Sequence, residues 1–432
     1  MNEMTKKKKI TYSILSVVLV ALCVWVGLRW KVWFGQPEEE AYKVSEKPWR
    51  VMLTFGDGDE NSRNVSWQCG DSVVEDAYVE LAPLRLPHEG EGENPKDSDF
   101  ERPSVLPPVG ELEGVVKAKG EVFQSLAGKA AYYVAKLRNL TPNHRYRYRA
   151  VVGGKASDWK EFRTYPTNDD ALSFIFVGDV QDTIGGSANK FIKSAFAAHK
   201  DAEFLVSGGD LTERPRDANW AETFRSLEGI GTRYPVLTIT GNHDYLKELP
   251  RKLERRFSLV FSYFLDSMVG ENQVFSQRYG NAEFFLLDSD RELPYLLEQK
   301  EWLEKALDSS TAKWKIVLIH HPLYSLRGSN NLIQRWVFDD LIREKKIDLV
   351  LQGHEHNYGR MLADHSHTPL YTVSHCSPKT YSHKKSDYFD KVITDSRFYQ
   401  YVKIKGDTLE MSAYKVYDNK RIDFVRLSKN KK

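Results

Sequence analysis

Five apolar segments between residues 172 and 352 end in a similar way, and this repetition restricts the fold more than any other feature of the chain. LSFIFV (172–177) runs into Gly178-Asp179, with Gln181 two residues on. EFLVS (203–207) runs into Gly208-Gly209-Asp210, and PVLTIT (235–240) into Gly241-Asn242-His243-Asp244. KIVLI (315–319) ends in His320-His321, and IDLVL (347–351) in Gln352-Gly353-His354-Glu355-His356. A sixth run, EFFLL (283–287), ends in Asp288. Short continuous apolar runs alternating with amphipathic stretches such as 187–200 are the pattern of buried strands and helices in an α/β layer arrangement. In such sheets, groups at the carboxyl ends of strands gather in one crevice. Residues far apart in sequence are therefore expected to meet.

The residue types at these ends set the chemistry. Aspartate, asparagine and glutamine oxygens with several imidazoles form a hard-to-borderline donor set. Such a set suits Mn, Fe, Zn or similar divalent ions, and no cysteine is present to close a structural zinc site. The donors outnumber the needs of one ion, and Asp210 is available to bridge two. Two ions about 3.5 Å apart activate water and neutralise the charge of a displaced phosphate ester. Glycine ahead of the donor at Gly178, Gly209, Gly241 and Gly353 keeps side chains out of the pocket. Singly these pieces are weak: Gly-Asp is usually a turn, a His pair can sit in a core, and Gly-His-Glu-His can be a surface loop. Their order along successive strands carries the argument.

Upstream the periodicity changes. Segments 50–55, 64–68, 78–81, 114–118, 131–137, 145–152 and 159–164 alternate and are separated by Gly, Pro and Asn turns. This predicts an antiparallel β-sandwich. Residues 87–108, rich in Pro, Gly and acid, read as a long loop within it. Arg145, Arg147 and Arg149 share one face of a strand and are expected to form an exposed basic face. Asn64-Val-Ser and Asn139-Leu-Thr match the glycosylation pattern. Cys23, Cys69 and Cys376 lack metal-like spacing and are expected as free thiols. The segment 399–427 returns to strand-like alternation and should finish the sheet.

At the N-terminus, Lys6 to Lys9 precede the uncharged run 10–28, which is long enough to cross a bilayer as a helix. The lysines place residues 1–9 on the cytoplasmic side and the rest outside, with Trp25, Trp30 and Trp33 at the far interface. A cleaved signal peptide is the rival reading, but no small-x-small site follows the run, which favours an uncleaved anchor. Residues 29–45 read as a linker, 46–166 as the β-domain and 170–432 as the α/β domain. The formal net charge of +2 offers no basic field for nucleic acid.

The order Gly178-Asp179, Gly209-Asp210, Gly241-Asn242-His243-Asp244, His320 and Gly353-His354-x-His356 resembles the calcineurin-like metallophosphoesterase superfamily. Leu53-Thr54-Phe55, Val65-Ser66-Trp67 and Leu140-Thr141-Pro142 before Tyr146-Arg147-Tyr148 are similar to the fibronectin-like domain of purple acid phosphatases, as is Asn357-Tyr358-Gly359-Arg360 to that family's catalytic domain. The resemblance implies a four-layer α/β sandwich of two mixed sheets flanked by helices, preceded by the all-β domain and the transmembrane helix. It implies that Asp179, Asp210 and His356 hold one metal, and Asp210, Asn242, His320 and His354 a second. His243 would contact phosphate or protonate the leaving oxygen, oriented by Asp244, and His321 would lie near the substrate. A metal-activated hydroxide would attack phosphorus in line.

Two departures matter. Gln181 stands where many superfamily members have histidine, either as an oxygen ligand or as a hydrogen-bonding neighbour. Glu213 stands where the purple enzymes have tyrosine, so an Fe(III)-tyrosinate centre is not expected and a divalent pair is. The expected function is a phosphatase of phosphorylated small molecules or other phosphate esters. A phosphodiesterase or pyrophosphatase with the same site is an alternative, and a cell-surface binding protein with a vestigial catalytic domain is a second. Substrate selection is expected from loops 183–189, 213–219 and 325–331 and the rim 379–395, with His365, His367, His375 and His383 as spare histidines nearby.

Overall fold

The computed structural model describes residues 6–35, 39–41, 44–56, 60–83, 114–166, 171–248, 250–263, 269, 273–328, 331–362, 369–381 and 387–429. The expected loop 87–108 and His365, His367 and His383 lie outside these residues.

Helix α1 (Lys6–Phe34) runs past the expected end of the apolar run. No glycine or proline interrupts residues 29–34, and the helix stops at Gly35, ahead of Pro37. The window Thr11–Phe34 has a mean hydropathy of 2.2, and none of it is buried against the rest of the protein.

The β-domain contains β1 (Trp49–Phe55), β2 (Arg63–Gln68), β3 (Ala77–Pro83), β4 (Gly114–Gln124), β5 (Lys129–Leu137), β6 (Arg145–Val152), β7 (Lys155–Ala156) and β8 (Lys160–Arg163). Strand β4 belongs to both layers: its first residues pair with β3 and its later ones with β5. Alternate residues fill the space between the layers, where Trp67 stacks on Tyr133 and Tyr146 on Phe162. The arginine row departs from expectation. Arg145 and Arg147 are buried, Arg147 pairs with Glu161 of β8 at 3.0 Å, and Arg149 pairs with Glu80 of β3 at 2.5 Å. Neighbouring strands carry acids opposite the arginines, so the row serves cross-strand pairing instead of a basic surface. Asn64 is buried too, donating to the Ser262 carbonyl at 2.5 Å, which removes that glycosylation triplet from the surface. Cys69 and Cys376 are buried free thiols.

The α/β domain follows with β9 (Ala171–Val177), α2 (Ala188–Ala198), β10 (Phe204–Ser207), α3 (Asp217–Ser226) and β11 (Val236–Thr238). A small hairpin of β12 (Tyr245–Leu246) and β13 (Lys252–Leu253) leads to α4 (Arg255–Val260). The second half has β14 (Phe275–Tyr279), β15 (Ala282–Leu286), α5 (Leu293–Ser309), β16 (Trp314–Leu318), α6 (Leu332–Glu344) and β17 (Leu349–Gln352). It continues through β18 (Tyr358–Leu362), β19 (Leu370–Val373) and β20 (Lys391–Ile393), and β21 (Phe398–Lys405), β22 (Thr408–Lys415) and β23 (Arg421–Ser428) close the chain.

One sheet orders its α/β strands β23-β22-β21-β9-β10-β11, and the other runs β14-β15-β16-β17-β19-β18-β20. Both mix parallel and antiparallel pairs. The alternation of the second sheet explains the layers. Phe284, Leu286, Ile316, Leu318, Leu349 and Leu351 face the first sheet. Phe285, Val317, Ile319 and Val350 pack with Leu296, Leu303, Phe338 and Leu341 of α5 and α6. Helices α2 and α3 cover the outer face of the first sheet through Phe191, Ile192 and Trp220. The β-domain attaches by strand addition, β1 lying parallel to β11 with Thr54 opposite Val236. It thus covers what would otherwise be an open sheet edge.

A buried ion cluster locks these parts together. Arg256 of α4 donates to Glu254 at 2.6 Å and to the Pro215 carbonyl at 3.0 Å, and reaches Glu39 at 3.5 Å and Asp217 at 3.7 Å. Asp217 also takes Arg50 of β1 at 2.6 Å. Removing the Arg256 charge would leave carboxylates buried without their partner. Arg256→Leu is therefore expected to cost about 3–5 kcal/mol, read as a lower denaturant midpoint. A change under about 1 kcal/mol would show that the cluster does not hold the domains.

Candidate functional site

The expected strand ends converge. Strands β9, β10, β11, β16 and β17 deliver Asp179 and Gln181, Asp210, Asn242 to Asp244, His320 and His321, and His354 and His356. The approach is so close that a Cβ on Gly353 would lie 2.7 Å from Asp179 Oδ2, and one on Gly209 2.8 Å from the Thr240 carbonyl. Among the described residues, five of the twelve non-glycine positions with positive φ are Asp179, Gln181, Asp210, His354 and His356. Left-handed backbone costs of order 1–3 kcal/mol at such positions and persists where surrounding structure enforces it.

The hydrogen bonds orient each donor. His320 gives its Nδ1 proton to the Gly208 carbonyl at 2.8 Å, and His356 gives its own to the Lys379 carbonyl at 3.0 Å. Both rings therefore turn Nε2 inward. His320 Nε2 then faces Asp210 Oδ2 at 3.3 Å, Asn242 Oδ1 at 3.4 Å and Asp179 Oδ1 at 3.9 Å. His356 Nε2 faces the same Asp179 Oδ1 at 3.8 Å, and His354 Nδ1 lies 2.9 Å from Asn242 Oδ1. Asp210 Oδ2 also accepts the Gln181 amide at 3.0 Å, and its Oδ1 accepts the His243 backbone N–H at 2.8 Å. Asp179 Oδ1 and Gln181 Oε1 are buried and have no hydrogen-bond partner among the described residues. Lone pairs thus converge on lone pairs, an arrangement that fits a cation and little else. Asp210, His320 and His354 alone offer donor atoms within 4.8 Å of one another.

The electrostatics agree. Burial pushes Asp179 well above the usual carboxylate range. Burial also acts to raise Asp210, but His320 and His243 overcome it and hold that carboxylate low. In return Asp210 and Asp179 overcome the burial of His320 and raise it well above an ordinary histidine. Burial, then the His320 charge, lowers His354 to about 3, and burial lowers His356 to about 4. These two imidazoles stay neutral and keep a lone pair to offer. A protonated His320 is how the protein alone balances the pocket; a divalent ion would supply the same charge.

Comparison with known proteins places this geometry. The calcineurin-like phosphoesterase family matches residues 172–358, and the purple acid phosphatase N-terminal domain matches residues 48–164. Residues 172–358 thus form a calcineurin-like phosphoesterase domain, preceded by a domain of the purple acid phosphatase N-terminal type. "Probable purple acid phosphatase 20" of Arabidopsis thaliana is 25% identical over 60% of this chain and 64% of its own length. "Probable inactive purple acid phosphatase 1" of the same plant is 25% identical over 59% of this chain and 46% of its own length. The chain therefore spans roughly half to two thirds of the length of these plant relatives. The solved structure of PhoD superposes with a TM-score of 0.57 at 15% identity, over 89% of this chain and 94% of that one, which shows a shared fold.

Within this phosphoesterase domain, one expected contact is replaced. The group on the His243 ring is the Glu213 backbone carbonyl, 2.6 Å from Nδ1. Asp244 instead accepts the Gly241 N–H at 2.8 Å and faces the Thr212 hydroxyl at 3.3 Å, holding the loop that carries His243. Burial, then Asp210, raises Asp244 to about 7. The cause is the tight turn at Asn242–Asp244, which points Asp244 back at its own start. His321 packs against His354, ring centroids 4.3 Å apart, with Ser289 Oγ 3.0 Å from its Nδ1. Asp288 at the end of β15 turns away, accepting from Tyr245 and bonded by Gln299. The expected rim 379–395 does reach the pocket, through the Lys379–Glu213 ion pair and Tyr381, whose ring stacks on His356 at 4.3 Å, although neither residue was singled out. Ser289 was missed; it follows Asp288, the residue on which the run 283–287 ends, and was detectable on that ground. The spare histidine His375, expected at the surface like its neighbours, is instead buried and stacks behind His356 at 5.3 Å.

The convergence of unpartnered oxygens predicts a metal-linked stability. Wild-type protein stripped by a chelator is expected to gain about 2–4 kcal/mol, read as a rise in Tm, when Mn²⁺ is restored well above its Kd. Asp179→Asn removes a buried carboxylate, so the stripped variant should be at least as stable as stripped wild type and lose most of that gain. An undiminished response in the variant would move the metal elsewhere.

Proposed function

We propose that this chain is a metal-dependent phosphoester hydrolase, anchored in a membrane by α1 with its catalytic domain outside the cytoplasm. The observation that carries the reading is the inward ring of acceptors, in which His320 Nε2 faces Asp210, Asn242 and the orphaned Asp179 Oδ1 within 3.9 Å. On this reading the donors serve two ions that share Asp210, with Asp179, His356 and the nearby Gln181 for one and Asn242, His320 and His354 for the other. This supports a pair of divalent ions, Mn, Fe or Zn. When bound, such ions supply an activated water and neutralise charge on the phosphoryl group.

The chain's own residues do the rest. Because the Glu213 carbonyl accepts from Nδ1, the His243 ring presents Nε2 to the cavity, where it can hold a proton for the leaving oxygen. The Glu213 side chain pairs with Lys379, so that acid closes one wall of the pocket and does not reach the donor ring. This supports the reading of a site without a tyrosinate at that position, hence colourless metal-loaded protein. The excess of lysine before the apolar helix over Arg29 and Lys31 after it supports the outward orientation.

The test is hydrolysis of an aryl phosphate by the full-length protein with Mn²⁺, Zn²⁺, Fe²⁺ or Mg²⁺. Asn242→Ala and His354→Ala are expected to abolish metal-dependent turnover. His243→Ala should lower kcat by roughly 10²–10⁴-fold while leaving bound metal unchanged. No metal-dependent turnover of any mono-, di- or pyrophosphate ester would defeat the proposal.

A further inference from the structure

The pocket that holds Asn242 and His243 is walled on one side by the end of the apolar helix. A cavity of about 490 Å³ is lined by Val32, Trp33 and Phe34 together with Asn242, His243 and Glu213. Lys247 donates to the Val32 carbonyl at 3.3 Å. Arg214, Arg216, Lys247 and Arg251 also line the cavity, outnumbering the acids Glu213 and Glu248 there.

Two further observations fix where this cavity sits relative to a bilayer. The first is the depth of the helix. Thr11–Phe34 has 24 residues, several more than the roughly 20 that cross a bilayer core, so its last turn lies at headgroup level. Trp25, Trp30 and Trp33 are exposed at that end, where tryptophan belts occur. Trp33 is thus both a belt residue and a cavity wall. The second is the tether. Glu39 is buried on the body of the protein, accepting from the Asp217 N–H at 2.7 Å and the Ala127 N–H at 2.9 Å and facing Arg256 at 3.5 Å. Five chain steps separate Phe34 from Glu39, which span at most about 18 Å. The tether therefore keeps the Glu39 attachment point within that distance of the helix end.

We infer that the site takes its phosphate ester from the membrane itself: the substrate class is a lipid carrying a phosphomonoester headgroup. This rests on the hydrolase reading above and narrows it. The acyl chains stay in the bilayer beside Trp33, the basic rim receives the headgroup charge, and the phosphate reaches His243 without leaving the interface. In the reaction, the phosphorus–oxygen bond to the lipid breaks and water's oxygen forms the new bond to phosphorus. The leaving alkoxide takes a proton from His243 Nε2, and a diacyl alcohol and inorganic phosphate result.

The experiment uses full-length protein in phosphatidylcholine vesicles doped with phosphatidic acid, against glycerol 3-phosphate and an aryl phosphate in solution. Confinement to one surface raises the local substrate concentration, so phosphatidic acid is expected to be cleaved about a hundredfold faster than glycerol 3-phosphate at equal bulk concentration. Inserting a long Gly/Ser segment after Gly35 should leave aryl phosphate turnover intact and cut the lipid preference at least about tenfold. Turnover of the aryl phosphate with none of the phosphatidic acid overturns the inference and spares the hydrolase reading. An unchanged lipid preference in the long-tether variant, or a mature membrane-derived chain that begins after Phe34, also overturns it. Failure on every ester falls on the hydrolase reading, and this inference falls with it.

Discussion

Lone pairs that face one another in a buried space are the constraint on which the rest of this structure depends. Asp179 Oδ1, Asp210 Oδ2, Asn242 Oδ1 and the Nε2 atoms of His320 and His356 crowd together, and among the described residues Asp179 Oδ1 has no hydrogen-bond partner. Such an arrangement is costly for a folded chain without a cation. It persists because its backbone is held at both ends by packed sheets. Five left-handed non-glycine residues, and glycines where an added Cβ would fall within 3 Å of neighbouring main chain, make the same point in backbone terms. The two hydrophobic layers that flank the sheets supply the rigidity this site requires.

The donors were legible because their signal is local. A short apolar run followed by glycine and a donor names the strand end without tertiary knowledge, and the convergence of strand ends in α/β sheets does the rest. Groups that act through the main chain were not legible. The Glu213 carbonyl that fixes the His243 tautomer has no side-chain signature, and the family resemblance had implied Asp244 for that duty. Lys379 and Tyr381 reach the pocket from an irregular stretch where periodicity carries no information. The arginine row shows a different limit. Alternation told that Arg145, Arg147 and Arg149 share a face, but not that Glu161 and Glu80 stand opposite on strands paired to theirs. Pairing partners depend on strand order, and strand order is the least local property of a sheet.

The extension of α1 to Phe34 belongs to the same category. Hydropathy located the apolar run, but where the helix ends depends on helix propensity and the first breaker, here Gly35. That difference of six residues is what brings Trp33 and Phe34 to the wall of the pocket. A linker over 29–45 would have left the catalytic domain free in solution on a leash. A helix to Phe34 followed by a buried Glu39 leaves it almost none.

The β-domain then takes on a second structural task. Its strand β1 extends the catalytic sheet through Thr54 and Val236, and Arg50 joins Asp217 in the cluster that also receives Glu39. The same buried charges that attach the β-domain therefore attach the tether, within α3 and α4 and one short loop of the Asn242–Asp244 turn. The segment after the apolar helix, through Glu39, and the β-domain, through the Arg50–Asp217 pair, meet at Arg256 beside Glu254. A protein that acted only on freely diffusing esters would have no physical need for that coupling, because loops alone can shape a pocket. On the reading proposed above, coupling of anchor to site matters most where the reacting group is itself confined to the plane of the anchor.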